Sequence, residues 1–538
     1  MQTGRFTFHA PPSSECWLKQ IGATRSLFEP KVSANYVCLS YCWGADTEGV
    51  LKTTKHTLDD HYRAIPYSLL PPTIRDAVIV CRHLGVPYLW VDSLCIVQDD
   101  KKSWLEGSRD MHKIYLNCHF TIAAQEPTSC KLGFLGRQKY GDTNWQQQFT
   151  TQCPTEGEPA TKKEVFIRPD VDYQNPDSFS LETRGWCLQE SLLPRRKLCF
   201  NGNEMTWECH RRRTCECEHL QWAPISVYGR LGASIKSAIK PDSKPSGWRA
   251  RRAPRPGRRG ENWRALVQEY TGRHLTQPTD KLTALSGLAQ IIAQANREAD
   301  GISDKYFAGL WKAEFLTDLT WQVKHAGATH IRSSNYRAPT WSWASIDGPI
   351  EYRCWEMVSF WKKYRASKED ESTVNAVVCN PCLSDDPTGP ITSAHAVLTG
   401  PIVSIDPAVL SAGLSDTEVF LDEPLASTVQ DLDGKVELPM DQWSENQCRD
   451  AKDLQQFGVY SSEKTPSIYC FQLFSLRAHT GRVINGRRDI RGPYTWFLVL
   501  CKCPGTKDTF ERIGVGVTAI DGEGPLFHNA GPSTVTII

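Results

Sequence analysis

The stretch Tyr36-Val-Cys-Leu-Ser-Tyr-Cys-Trp-Gly44 is short, aromatic and mostly nonpolar, and it ends on a glycine. A run of that length bounded by a turn residue reads as a buried strand delivering a loop. Further on, Pro71-Pro72 leads into Thr73 with Asp76 three residues later, a capping pattern. Ile74, Ala77, Val78, Cys81 and Leu84 then fall on one helical face before Gly85 stops it. Val86 to Val91 is another nonpolar run, closing at Asp92. Strand, helix, strand is the unit that builds a parallel sheet, because parallel neighbours need a crossover.

The pattern repeats once. Ser103 and Glu106 make a capping box, and Trp104, Ser108, Met111, Tyr115 and Cys118 continue a helical stripe into a third strand, His119-Phe-Thr-Ile-Ala-Ala124. From about 136 to 183 the composition turns polar, an excursion out of the domain. Trp186 to Leu193 returns as a short helix that must end before Pro194, since proline removes a donor and restricts its predecessor. Leu198-Cys-Phe200, Asn201-Gly-Asn203 and Met205-Thr-Trp-Glu-Cys209 read as a hairpin closing a first domain near residue 220.

The whole chain has 538 residues, 40% hydrophobic and 23% charged, which suits two or three globular domains. With 62 basic against 61 acidic residues the net charge is +1, so no global charge favours nucleic acid or an anionic membrane. Twenty cysteines are spread along a chain whose start, Met1-Gln-Thr-Gly-Arg5, has no signal-peptide core, which leads us to expect a reduced, cytoplasmic setting. Cys38, Cys42, Cys81, Cys95 and Cys187 sit in nonpolar segments, as small core residues do. The longest nonpolar stretch, Trp496 to Leu500, is far short of the roughly 20 residues a membrane span needs.

Three blocks in the first domain carry a resemblance. Leu39-Ser-Tyr-Cys-Trp-Gly44, Tyr88-Leu-Trp-Val-Asp-Ser-Leu-Cys-Ile-Val-Gln98 and Arg184-Gly-Trp-Cys-Leu-Gln-Glu190 follow one another in the order found in the fungal heterokaryon-incompatibility (HET) family, which the chain resembles. Leu275-Thr276, Asp280-Lys281-Leu282, Gly309-Leu310-Trp311 and Ala338-Pro-Thr-Trp-Ser-Trp-Ala-Ser345 extend the likeness to the long form of these proteins. The resemblance implies programmed cell death in allorecognition, when unlike hyphae fuse. Read as alternating strands and helices closed by Trp186-Cys-Leu-Gln-Glu190, the domain is also similar to TIR domains. That likeness implies a flavodoxin-like parallel sheet, Glu190 as catalytic carboxylate and NAD as candidate substrate.

Cleaving nicotinamide from ribose passes through an oxocarbenium-like state, which a carboxylate at the ribose face stabilises. Ligands of parallel sheets bind beyond the carboxyl ends of the strands, where Trp43, Gly44, Asp46, Asp92 and Ser93 would emerge beside Trp186. Trp43 could stack on a ring, and the Gly44 backbone could approach a phosphate. The structural alternatives are a helix-end pairing of Glu190 with Arg184 or Arg195, packing roles for the tryptophans and a loop-cap role for Asp92. No glycine-rich dinucleotide fingerprint is present, and no basic residue directly follows the first block. With no enzymatic activity, the same domain reads as a signalling module that self-associates or binds a protein partner.

Other chemistry is weaker. Cys209, His210, Cys215, Cys217 and His219 crowd eleven residues, enough soft ligand for zinc, but Cys-x-Cys is not a standard spacing and Arg211-Arg-Arg213 adds repulsion. A zinc-stabilised nucleic-acid binder would follow from that cluster, a reading the balanced charge disfavours. Cys379-Asn-Pro-Cys382 is a lone pair. Cys95 is a conceivable nucleophile with His83, His112 or His119 as base. Residues 221–262, rich in arginine, proline and glycine, read as a basic disordered linker.

Beyond the linker, Trp263, Leu266, Val267 and Tyr270, then Leu282, Leu285, Leu288, Ala289 and Ile292, mark a helical subdomain over 263–335. From Trp341-Ser-Trp343 short strands are expected, as in Ala394–Gly400, Trp496–Leu500 and Arg512–Val517, giving a β-rich accessory domain over 336–538.

Overall fold

The computed structural model describes residues 17–19, 26–28, 34–45, 50–135, 147–155, 158–167, 179–202, 205–209, 213–216, 259–300, 303–324, 332, 335–353, 367–405, 417–422, 467–484, 487–519 and 526–538. The chain divides into two compact units, Met1–Pro241 and Asp242–Ile538.

The first unit is built on one sheet. Its strands are β1 (Trp17–Lys19), β2 (Ser26–Phe28), β3 (Tyr36–Ser40), β4 (Tyr88–Trp90), β5 (Phe120–Ala124), β8 (Arg196–Phe200), β9 (Met205–Cys209) and β10 (Arg213–Cys215), in the order β10-β9-β8-β5-β3-β4-β1-β2. The central four, β4, β3, β5 and β8, are mutually parallel. Numbered along the chain they lie 2-1-3-4, an order in which consecutive strands part between the first and the third. In open α/β sheets such a switch point opens a crevice at the carboxyl ends of the two parting strands, here β3 and β5. The hairpin β8–β9 and then β10 extend the sheet antiparallel beyond β8.

Helices fill the crossovers: α1 (Leu58–Arg63) and α2 (Pro72–His83) between β3 and β4, α3 (Asp92–Cys95) and α4 (Lys101–Asn117) between β4 and β5, and α5 (Cys187–Leu192) before β8. β3 and β5 are buried at every position, as strands covered on both faces must be. Ile74, Ala77, Val78 and Cys81 of α2 pack with Val37, Leu39, Leu89 and Ile122 in the main core. Part of the expected excursion forms a separate antiparallel ribbon, β6 (Gln147–Thr155) with β7 (Glu158–Ile167).

Several local readings are corrected. Thr73 does not cap α2; the helix already begins at Pro72, and Asp76 accepts from the backbone N–H of Phe134 at 2.6 Å and Leu135 at 2.8 Å. Leu84 leaves the buried face and is 55% exposed. Ser103 lies inside α4, which starts at Lys101, and its hydroxyl accepts from Val97 N–H at 3.4 Å.

The second unit joins a helical part to a barrel-like sheet. Helices Arg259–Thr271 and Thr283–Asp300 bury the predicted faces, Trp263, Leu266, Val267 and Tyr270 on one, and Leu285, Leu288, Ala289 and Ile292 on the other. The first helix thus takes up the last residues assigned to the linker; 217–258 lie outside the described residues. Strands Ile391–Ile405, Ile468–Ile484, Arg487–Lys502, Thr509–Ala519 and Pro532–Ile537 pair successively, and the first also pairs the last, which closes a ring. A five-membered ring cannot alternate direction throughout, so one pair must be parallel. That pair is Thr509–Ala519 with Pro532–Ile537. Trp341-Ser-Trp343 does not begin a strand; it enters a buried 3-10 turn, Trp343–Ser345.

Within this unit Arg512, wholly buried, makes a bidentate fork on Asp422, with Nε at 3.1 Å and Nη2 at 3.0 Å. It also donates to the carbonyls of Leu319 (2.6 Å) and Trp321 (2.5 Å) and lies 3.5 Å from the Trp321 ring centroid. Arg512 is one tie between barrel and helical part; Thr340 with Ile538 and Ser286 with Asp386 are others. No helix among the described residues is long and apolar enough to cross a membrane.

Candidate functional site

The sequence of β3 sends Ser40 to the strand's carboxyl end, beside the switch point, and the chain from 179 to 190 returns to that end. Leu181 N–H donates to the Gln125 carbonyl just past β5 at 3.4 Å, and Arg184 Nη1 donates to the Tyr41 carbonyl just past β3 at 2.6 Å. So anchored, the chain turns into α5 and carries Glu190 against β3, where it accepts a hydrogen bond from Ser40 Oγ. Glu190 is only 6% exposed. The helix can be this short because Pro194 follows and because five of its six residues are buried.

A second carboxylate faces the same field. Asp92, at the end of β4, accepts from Trp43 Nε1 at 3.0 Å and from Ser93 N–H at 2.6 Å. The Tyr41 hydroxyl lies against it and donates to Ser93 Oγ at 3.0 Å. Asp92 is thus pinned by fixed donors, whereas Glu190 rests on a rotatable hydroxyl.

Two acids and one base share this volume. Burial pushes Glu190 up to about 7, overriding the Ser40 hydrogen bond and the attraction of Arg184; the charge of Asp92 adds to the rise. Burial also raises Asp92, against Arg184 and its donors. Arg184 is held above its ordinary value: burial opposes its charge, but Cys187, Cys42, Glu190 and Asp92 together more than offset it. Burial, with Glu190 next, raises the Tyr115 phenol, whose hydroxyl donates to the Leu39 carbonyl at 3.1 Å. A buried carboxyl poised near neutrality beside a second acid is the arrangement that general acid–base and charge-stabilising sites use.

Gln189 adds an unmet requirement. It is 1% exposed, and neither amide atom has a hydrogen-bond partner. Buried amides are normally satisfied, so one left open next to Glu190 calls for a solvent or ligand group.

The model of the Heterokaryon incompatibility protein (HET) family matches residues 36–190. The chain carries a HET domain. No curated protein and no solved structure matches the chain. The match opens at the first residue of β3 and closes on Glu190, so the HET domain holds the three parallel strands β3, β4 and β5 and every side chain of the carboxylate cluster.

In the HET domain Trp43 and Ser93 both bond Asp92, and the charge of Asp92 acts on Glu190. Ser93 is fully buried and serves Tyr41 and the Thr53 backbone, whose N–H donates to its carbonyl at 2.9 Å. Trp186 packs edge-on against Trp104 of α4, centroids 6.3 Å apart. Gly44 has φ +107°, and a Cβ there would stand 2.7 Å from Ser129 Oγ, so its glycine is demanded by the 129–130 turn, whose Cys130 N–H donates to the Trp43 carbonyl at 3.3 Å. Asp46 lies outside the described residues. Reasoning from sequence did not single out Ser40, whose signal was its place at the end of the first strand, nor Tyr41.

His210, Cys217 and His219 lie outside the described residues. Cys215 of β10 sits opposite Thr206, three positions along β9 from Cys209, about 10 Å in strand rise. Cys95 Sγ accepts from Val91 N–H at 3.4 Å, while His83 and His112 meet the Ile79 and Arg109 carbonyls within their own helices. Burial raises the Cys379 thiol to about 12, far from a thiolate at neutral pH.

Proposed function

We propose that the HET domain serves heterokaryon incompatibility as a cell-death effector that hydrolyses NAD, with Glu190 as the carboxylate beside the ribose. The carrying observation is the burial of Glu190 at the switch point, hydrogen-bonded by Ser40 and poised near 7 beside Asp92 and Arg184. The 2-1-3-4 strand order and the Trp-x-x-x-Glu helix at residues 186–190 support the similarity to TIR enzymes on which the substrate rests. In the reaction the bond between nicotinamide and the ribose breaks and its electron pair leaves with nicotinamide. Ionised Glu190 stabilises the resulting oxocarbenium charge. Water then adds to the anomeric carbon and gives up one proton, leaving ADP-ribose. Burial keeps Glu190 near neutrality, and the charge of Asp92, immobilised by Trp43 and Ser93, adds to the rise. The test is nicotinamide release from NAD by the purified full chain and by Glu190→Gln. A loss of about a hundredfold or more with unchanged circular dichroism is expected; equal release by both proteins sinks the proposal.

A second reading, a self-associating signalling module, draws on the exposure of Tyr67, Leu69, Leu132 and Leu135, contributed by the approach to α2 and by the turn bonded to its Asp76. On that reading Leu69→Asp abolishes toxicity and Glu190→Gln leaves it intact.

A further inference from the structure

The sequence offers no basic residue directly after the first block, and Gly44 is already spoken for by Ser129. The structure recruits a cation from further along. Lys52 places its ammonium 5.3 Å from the centroid of the Trp43 ring, the indole whose Nε1 donates to Asp92. The lysine charge therefore lies over the face of the indole whose edge bonds Asp92. Lys52 has no carboxylate partner among the described residues. Its backbone, unlike that of a free surface lysine, is held beside the site: the adjacent Thr53 bridges to Val97, donates from N–H to the Ser93 carbonyl at 2.9 Å and from Oγ1 to the Leu94 carbonyl at 2.6 Å, and accepts from Gln98 N–H at 2.8 Å. The segment after β3 is thus stitched to the turn that bears Asp92, and Lys52 is carried with it.

An ammonium resting on an aromatic face keeps its donors for an incoming anion, and the ring holds it without neutralising it. We propose that Lys52 is the anion-binding residue of this site, taking the phosphate of a nucleotide whose ribose lies at Asp92 and Glu190. This rests on the reading of the site as nucleotide-cleaving and assigns the phosphate contact to a side chain rather than to the Gly44 backbone.

The test uses the full chain with three probes: inorganic pyrophosphate, NAD, and nicotinamide riboside, which keeps the ribose and ring but lacks phosphate. Binding is followed by calorimetry in the wild type, Lys52→Gln and Lys52→Arg, with NAD measured on a Glu190→Gln background to prevent turnover. The expected result is that Lys52→Gln weakens pyrophosphate and NAD about tenfold or more and nicotinamide riboside less than twofold, and that Lys52→Arg restores most of the loss. Pyrophosphate that fails to bind, or binds Lys52→Gln as well as wild type, overturns the assignment even if NAD is cleaved. Lysine-dependent pyrophosphate binding without NAD cleavage upholds an anion site and overturns the nucleotide reading instead. Equal weakening of NAD and nicotinamide riboside makes Lys52 a packing residue and also overturns it.

Discussion

Each unit buries an ionic cluster, and the two are built to opposite ends. In the second unit Arg512 meets Asp422 through a two-point fork, gives further donors to the Leu319 and Trp321 carbonyls and stacks on an indole, with Arg332 3.7 Å from the same carboxylate. In the HET domain one cation, Arg184, serves two acids; Glu190 rests on a hydroxyl and titrates near 7, and the neighbouring Gln189 is open at both amide atoms. A buried pair with every lone pair and proton matched is architecture. A cluster whose charges do not balance costs stability and is kept where chemistry uses it.

The comparison is broken most severely at the satisfied end. Arg512→Met strands Asp422 without its fork and should cost about 3–5 kcal/mol, read as a fall in the denaturation midpoint of the second unit. If the loss is under about 1 kcal/mol, the pair is not the tie described. The unbalanced end predicts a pH effect. Because the Glu190 value is raised from 4.5 to about 7, the folded state holds a proton that the unfolded state has released between those values. Stability therefore falls as pH rises through that window, by roughly 3 kcal/mol in all, and Glu190→Gln should flatten the fall. Lys281 of the second unit provides the mirror image. Buried, beside Arg337, and donating to the Ile346 carbonyl, it is lowered to about 7, so its contribution to stability rises with pH from there toward the ordinary lysine range. Lys281→Met should remove that rise and leave the acid-side slope untouched. The smallest effect belongs to the turn that frames the site: Gly44→Ala, at φ +107° and against Ser129, should cost about 1–3 kcal/mol. A neutral result there would leave Gly44 available for another role.

What could be read from sequence divides along the same line. Tyr36–Ser40, the α2 stripe and Phe120–Ala124 are legible because burial on both faces or on one stripe leaves a period that composition alone exposes. Helix starts are not, because a cap depends on how the preceding chain enters; Thr73 and Ser103 have the right spacing but lie inside helices begun at Pro72 and Lys101. Trp341-Ser-Trp343 looks like a strand by alternation, yet both rings are buried at a turn where Trp343 Nε1 donates to the Gly309 carbonyl at 3.1 Å and Trp321 Nε1 to the Trp341 carbonyl at 2.9 Å. At the site, Glu190, Asp92 and Trp43 follow from strand ends. The bond from Ser40 to Glu190 and the grip of Arg184 on Tyr41 do not, since each joins segments far apart in the chain, and the approach of Lys52 to Trp43 depends on how the loop after the first strand turns back.

Glu190 stands as a poised carboxyl rather than as half of a matched ion pair. Carbon-13 titration of glutamate-labelled full chain, assigned by difference from Glu190→Gln, measures this directly. A side-chain carboxyl with its midpoint near 7, absent from the variant, is the predicted result. A Glu190 signal that titrates at or below the ordinary glutamate range of about 4.3 would contradict it.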